Sequence, residues 1–548
     1  MRLPTRDRIT GVVLALVTIV VVMINQRDVG IARDETVYFG AGSKYADWWI
    51  GLVTFDHGAG EKAITKSWGG KNPTDNNREH PPLMKTLFGF SEKLLHDKLG
   101  LVDEVSAYRF PSAVMHGLLV WLVYMFVLGL WGFTEAIVAA LFVLFLPRAL
   151  FHASLACFDA PIMTLWFATV FAYWRGLASK GWPWYAGVVF GLALATKHNA
   201  LLLPFALGVH YLVLGYREDK WRGLLAHRWR MIVCLAVIGP LTLFVLWPWL
   251  WFAPIENLGS WLSFHLKHVH YNFEYLEDNW NAPRFPWHVA LVTTLFTVPV
   301  VTLASAFTGA GVWIARALKK LPEPAPDTRM PVLLLALSAA ASAGPFFLGT
   351  TPIFGAEKHW MPALPTICIA AAVGVVWAAR TALAILSAKR TITLRIQYAI
   401  IETFAVVALL AAATETRAAH PYGLTWYNAL AGGAPGGADH GMNRQFWGVA
   451  AHGVLPELAR LEPAGGFVYT HDAAPAWGYY QREKWVPGNL KDAGWEQTGI
   501  DRSKLAIVIH EKHFNRHDYM IWQAYKTVQP VFVLRSDGVP IVSVYKRP

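Results

Sequence analysis

Asp34 and Glu35 stand side by side just past the first long apolar stretch, where a carboxylate pair is suited to taking a proton from a hydroxyl or an amine. The stretch runs from about Ile9 to Ile24 and follows Arg2, Arg6 and Arg8. Basic residues stay on the cytoplasmic side, so the pair is expected to emerge on the opposite face of a membrane. Tyr38, Phe39, Tyr45, Trp48 and Trp49 follow at once, an aromatic segment able to hold an apolar tail or a sugar face. The competing reading is an acidic patch at a helix end, since catalytic carboxylates are a minority of all carboxylates.

Other reactive types recur at the ends of apolar runs. They are Glu79-His80-Pro81-Pro82-Leu83-Met84-Lys85, Cys157-Phe158-Asp159-Ala160-Pro161, Thr196-Lys197-His198-Asn199 and Glu357-Lys358-His359-Trp360. Charges near hydrocarbon are costly and point to function. Lys85, Lys197, Lys358 and His80 would suit a departing phosphate, with His198 and His359 beside them. Plainer readings compete. Asp159 would cap the following helix, with Pro161 in its first turn, and the lysines would snorkel to the interface. His265, His268 and His270 have metal-like spacing, but the intervening Lys267 and Val269 suggest an interfacial helix. Trp247-Pro248-Trp249-Leu250-Trp251 reads as an aromatic belt. Gly432-Gly433 and Gly436-Gly437 lack the strand and helix of a nucleotide-binding loop and read as a turn-rich connector.

The elements that must position these residues follow from composition and periodicity. The 548 residues are 55% hydrophobic and only 16% charged, with mean hydropathy +0.34; soluble domains carry about 25% charged residues. The net charge of +11 lies mostly in short loops between apolar runs, with no basic helix or aromatic motif for nucleic acid. About eleven spans are expected, over roughly 9–25, 112–131, 133–148, 158–175, 183–196, 200–215, 231–252, 288–314, 331–349, 361–380 and 396–414. Segments 175–182, 216–230, 315–330 and 380–395 are basic and read as cytoplasmic. The first outer loop holds two amphipathic, interfacial pieces, about 34–53 and 81–98, around a polar stretch from Gly58 to Glu79 expected to be mobile. After about residue 415 the pattern changes. Strand-like runs at Gly466–Thr470, Leu505–His510 and Val531–Leu534, then a turn at Ser536-Asp537-Gly538 into Ile541–Tyr545, predict a small α/β domain with helices near 444–461 and 514–527. The fold class is therefore a mainly α membrane protein, residues 1–415, with a small extracytoplasmic α/β domain, residues 416–548. Cys157, Cys234 and Cys368 imply no disulfide framework.

In this order and sidedness the motifs resemble the C-type membrane glycosyltransferases, in the branch of protein O-mannosyltransferases and lipid A aminoarabinose transferases. The anchors are Asp34-Glu35, His80-Pro81-Pro82-Leu83, Asp159-Ala160-Pro161, Thr196-Lys197-His198 and Lys358-His359. His420-Pro421-Tyr422 through Tyr427-Asn428 and Gly432-Gly433 resemble a segment of bacterial relatives. Some relatives have Lys in place of His80, and Arg-Tyr in place of Lys358-His359. The resemblance implies a polyprenyl- or dolichyl-phosphate sugar donor and inversion at the sugar carbon. It leaves open a protein, lipid or glycan acceptor, a hexose or a pentose, and a divalent metal. The reading joins these expectations: Asp34 as general base with Glu35 supporting, Asp159 orienting base or acceptor, and the cations facing the phosphate, in an integral protein of a bacterial inner membrane with its site on the periplasmic face. A transporter or flippase for lipid-linked sugars would favour repeats and midplane sites, and a scaffold has no need of paired carboxylates beside lysines.

Overall fold

The computed structural model describes residues 4–70, 75–219, 229–322, 327–388 and 391–548. Arg2, the basic residues Lys220, Arg222 and Arg228, and Lys389 and Arg390 lie outside them.

The N-terminal part is a succession of helices: α1 (Thr5–Asn25), α2 (Arg33–Val53), α3 (Glu61–Trp68), α4 (Leu83–Glu92), α5 (Glu104–Leu128), α6 (Phe133–Leu144), α7 (Pro147–Ala153), α8 (Asp159–Gly176), α9 (Trp182–Leu194) and α10 (Leu203–Asp219). Among the described residues, seven helices are long and apolar enough to cross a membrane, or eight if the pair α6 and α7, bent by 66°, is one span. This is fewer than the eleven runs expected, and the reasons are local. The run 288–314 is two helices, Val289–Thr297 and Val300–Ala317, separated at Pro299, which has no N–H to give the ladder. The run 183–196 forms only the 13-residue α9. Helix α8 holds Asp159 and Arg175 near its ends and is buried almost throughout.

The amphipathic pieces of the first loop are helices as expected. Helix α2 starts where the Glu35 carboxylate accepts the Ala32 N–H at 2.8 Å. It packs tightly on α4, because a Cβ on Gly42 would come within 2.5 Å of the Lys85 carbonyl oxygen. The stretch expected to be mobile holds α3, whose Trp68 stacks on Tyr45 at 4.0 Å; residues 71–74 lie outside the described residues. The Trp-rich run is no lipid-facing belt: Trp247 is fully buried and Trp251 packs on Trp48 at 5.7 Å.

Beyond Ala418, strands β3 (Gly466–Tyr469), β4 (Leu490–Asp492), β5 (Leu505–Ile509), β6 (Phe532–Ser536) and β7 (Val539–Lys546) form one sheet, after a small hairpin of β1 (Phe273–Tyr275) and β2 (Asp278–Trp280). The sheet order is β4-β3-β5-β7-β6, with β3 parallel to β4 and β5, and β7 antiparallel to β5 and β6. Asp537 and Gly538 both have positive φ (48° and 80°), the geometry a two-residue hairpin turn needs. The glycine-rich connector is partly helical, Gly433–Asp439, and a Cβ on Gly437 would strike the Tyr427 ring at 2.4 Å. One apolar core runs from Ile31, Phe39 and Tyr108 through Ala450 and Trp477 to Ile507 and Val542, so the sheet region is packed on the start of α2.

Candidate functional site

Neighbouring positions on a helix point about 100° apart, and at the start of α2 this separates the acidic pair. Glu35 faces inward and is fully buried. Its carboxylate accepts Arg109 Nε at 2.8 Å and Nη2 at 2.7 Å, and the N–H groups of Ala32 and Ala156 at 2.8 and 2.7 Å. Four donors leave it no free lone pair toward a substrate. The Glu35 carboxylate is engaged by Arg109 and two backbone N–H groups, which fits the supporting place expected of it beside Asp34. Asp34 keeps 32% of its side chain exposed, and its nearest cation is Arg33 Nε at 3.6 Å. Arg33 in turn donates to Asp472 at 2.8 Å.

A buried chain of basic, acidic and imidazole side chains runs from Lys197 to Arg148. Lys197 donates to Asp159 at 2.6 Å. The His152 ring lies 3.8 Å from Asp159 on one side and 3.8 Å from Glu357 on the other. Arg148 donates to Glu357 at 2.8 Å and to the Trp426 carbonyl at 3.1 Å. Asp159 makes no cap bond at the start of α8, so its carboxylate serves Lys197 and not the helix end.

Lys358 follows Glu357 and is different in kind. Its ammonium sits over the rings of Trp447, Phe354 and Phe446 at 4.1, 4.6 and 5.0 Å. It is 4% exposed and has no hydrogen bond or ion pair among the described residues. Burial pulls its pKa down to about 8, against the attraction of Asp159 and Asp34.

Three expected phosphate ligands are used otherwise. Lys85 is fully buried and donates to the carbonyls of Asn77 and His80 and to Asn77 Oδ1, the last two at 2.9 and 3.1 Å. Its donors are spent on tying the 75–80 turn to α4, so it is not free for phosphate. His359 bonds the Phe354 carbonyl at 2.7 Å, pinning its own turn. His80 lies against Tyr38 and Phe158, and burial pushes it well below the usual histidine range; its Nδ1 has no hydrogen-bond partner among the described residues. His198 stacks on His265 at 3.9 Å beside it. His265 bonds the Glu79 carbonyl at 2.9 Å, His268 stacks on Phe354 and His270 lies by Phe285. Among the described residues no group of three or more side chains is arranged to hold a metal ion.

Asp34, Asp159, Lys197 and Lys358 are thus brought together from four separate segments. Arg109, Arg148, His152, Phe446 and Trp447 complete the site and were not singled out in the sequence, although an arginine in or beside an apolar run is a usable signal.

Residues 79–247 match the family described as dolichyl-phosphate-mannose-protein mannosyltransferase. The chain resembles the C-type membrane glycosyltransferases. Of the site just described, the segment matched to the mannosyltransferases contains Arg109, Arg148, His152, Asp159 and Lys197, while Asp34 and Lys358 lie outside it. No curated protein matches the chain. Among solved structures, ArnT from Cupriavidus metallidurans bound to undecaprenyl phosphate is similar at 16% identity, covering 99% of this chain and 98% of that one, with a TM-score of 0.49. The archaeal oligosaccharyltransferase AglB from Archaeoglobus fulgidus, in complex with an inhibitory peptide and a dolichol-phosphate, is similar at 10% identity, covering 96% and 72%, with a TM-score of 0.49. These two likenesses fall below the level at which a shared fold follows.

Proposed function

We propose that this protein transfers one sugar from a polyprenyl-phosphate carrier to an acceptor hydroxyl or amine at the extracytoplasmic face of a membrane. The observation that carries the reading is Lys358, a buried ammonium boxed by three aromatic rings and left without an anionic hydrogen-bond partner among the described residues, on which the charge of the partly exposed Asp34 acts. A lipid phosphate is the anion this arrangement suits, and water-poor surroundings make a fixed cation count for more.

In this reading Asp34 takes the acceptor proton as the acceptor atom bonds to the sugar carbon. The carbon–oxygen bond to phosphate breaks on the opposite face, which inverts the centre. The phosphate leaves with the electron pair and is held by Lys358, with Lys197 nearby. Asp159 fixes Lys197 and, through His152, is coupled to Glu357 and Arg148. The seven or eight apolar helices support an integral membrane protein. The basic segments between them support a periplasmic site in a bacterial inner membrane. A boundary near residue 415 between membrane and outer parts is supported by the last apolar helix ending at Ala418, with every strand of the large sheet beyond it.

Purified protein given a synthetic polyprenyl phosphate carrying a labelled sugar, with and without a chelator, tests the reading. Mass spectrometry of the co-purified lipid identifies the carrier. Labelled product and a retained polyprenyl phosphate are expected. Absence of transfer to protein, lipid and glycan acceptors alike, from a protein with no such lipid, would overturn it.

A further inference from the structure

A polar cavity, of about 140 Å³, lies where the β1 strand, the 438–444 loop and the end of β5 meet. Glu274, Arg444, His510, Glu511 and Lys512 line it, with Met442 as an apolar wall. Three observations say that it is built to hold something. Glu511 is 7% exposed, and its Oε1 has no hydrogen-bond partner among the described residues. Arg444 makes no hydrogen bond or ion pair among the described residues, although its charge acts on both Glu274 and His510. Glu274, by contrast, is held in place, its backbone N–H donating to Asn443 at 2.7 Å and its carboxylate accepting the Lys512 N–H.

The charges narrow the ligand. An anion drawn to Arg444 would meet the Glu274 and Glu511 carboxyls. A cation drawn to the carboxyls would meet Arg444. A neutral group whose hydroxyls both donate and accept satisfies all of them. A cavity of about 150 Å³ admits a six-membered ring, and Met442 offers a surface for its C–H face. The position fits as well. Glu511 feels the charges of Asp472 and Arg33, and Arg33 joins Asp472 and Asp34.

We propose that this cavity binds a neutral sugar unit of the acceptor, across the Arg33–Asp472 pair from Asp34. The acceptor is then a glycan or glycoconjugate; that part rests on the transferase reading, whereas the sugar site stands without it.

The test is saturation-transfer NMR on the full chain in detergent, with no donor lipid. The probes are neutral hexoses and N-acetylhexosamines, set against a hexuronate, a protonated hexosamine and inorganic phosphate. Binding of a neutral ring is expected, weakened about tenfold or more in Glu511→Gln and Arg444→Gln. Ala438→Leu, which fills the cavity and removes no charge, should abolish it, and so covers the case in which a charge variant fails to fold. Preference for a charged probe, equal binding in the Ala438→Leu variant, or no neutral sugar bound at about 50 mM, an affinity weaker than roughly 2 kcal/mol, would overturn the proposal. A chain that binds neutral sugar without ever transferring one would sink the transferase reading alone. A chain that transfers but leaves this cavity empty would sink this one alone.

Discussion

Replacing Asp34 with Asn keeps the side chain's shape but removes its ability to accept a proton at neutral pH. Transfer should fall about 100- to 10,000-fold while the donor lipid still binds; single-turnover transfer and lipid binding, read side by side, check both halves. Lys358→Met keeps the apolar stem within its three rings and removes the charge. It should cost roughly 2–4 kcal/mol of transition-state stabilisation, and turnover at the wild-type rate would remove the phosphate role. The pH dependence has a definite sign. Lys358 sits at about 8, below an ordinary lysine, so in the empty site it is cationic below that pH and loses its charge above it. A lipid phosphate keeps its negative charge over that range. Affinity for a polyprenyl phosphate should therefore decline as pH rises past 8, and the decline should be absent in Lys358→Met. Asp34, Asp159, Lys197 and Lys358, which charge singles out where apolar runs end, interact with one another in the fold. Lys85 was misread for a physical reason. Nothing local in the sequence says that the carbonyls of Asn77 and His80 turn back onto its ammonium.

At the scale of elements, α2 and α5 are joined by the buried Glu35–Arg109 pair, and Arg109 also donates to the Gln26, Val29 and Gly30 carbonyls. Removing one partner of such a pair strands the other charge. Glu35→Gln should cost about 3–5 kcal/mol of stability, seen as a lower thermal midpoint in detergent. The part of its activity loss that bound lipid or lower temperature restores should exceed any for Asp34→Asn. Equal stability of Glu35→Gln and wild type would show that the pair is not an anchor. The existence of α2 was readable from its amphipathic period, and so was the β6–β7 hairpin from Asp537-Gly538. The pairing of α2 with α5 was not, because the two residues are 74 apart and neither announces its partner. The difference between the eleven apolar runs and the seven or eight long apolar helices among the described residues has a similar root. Hydropathy records that a run is apolar, but not that Pro299 divides it or that α6 and α7 meet at 66°.

For the whole molecule, the outer placement of both the first loop and the terminal sheet can be tested by labelling. The three native cysteines are all buried, so the background is low. Lys62→Cys on α3 and Lys491→Cys on β4 should react with an impermeant thiol reagent from outside, and Lys320→Cys should not; all three positions are exposed on the protein. Reaction at 320 together with protection at 491 would invert the molecule and move the site to the other face.

The seam between the two ends of the chain also sets a timetable for biosynthesis. Ile31 and Arg33 are held by Tyr480 and Asp472, partners 449 and 439 residues later. At roughly 5–20 residues per second a ribosome takes on the order of 20–90 s to span that interval. The Glu35–Arg109 pair can close within seconds of α5 emerging, so α2 is docked early. The ion partner of Arg33 and the Phe446–Trp447 walls around Lys358 arrive only with the last fifth of the polypeptide. A nascent chain therefore holds Asp34 for most of its synthesis, and Lys358 for the stretch from 358 to 446, without these neighbours. On the transferase reading, a product truncated before residue 446 lacks both the Asp472 partner of Arg33 and two of the three rings around Lys358.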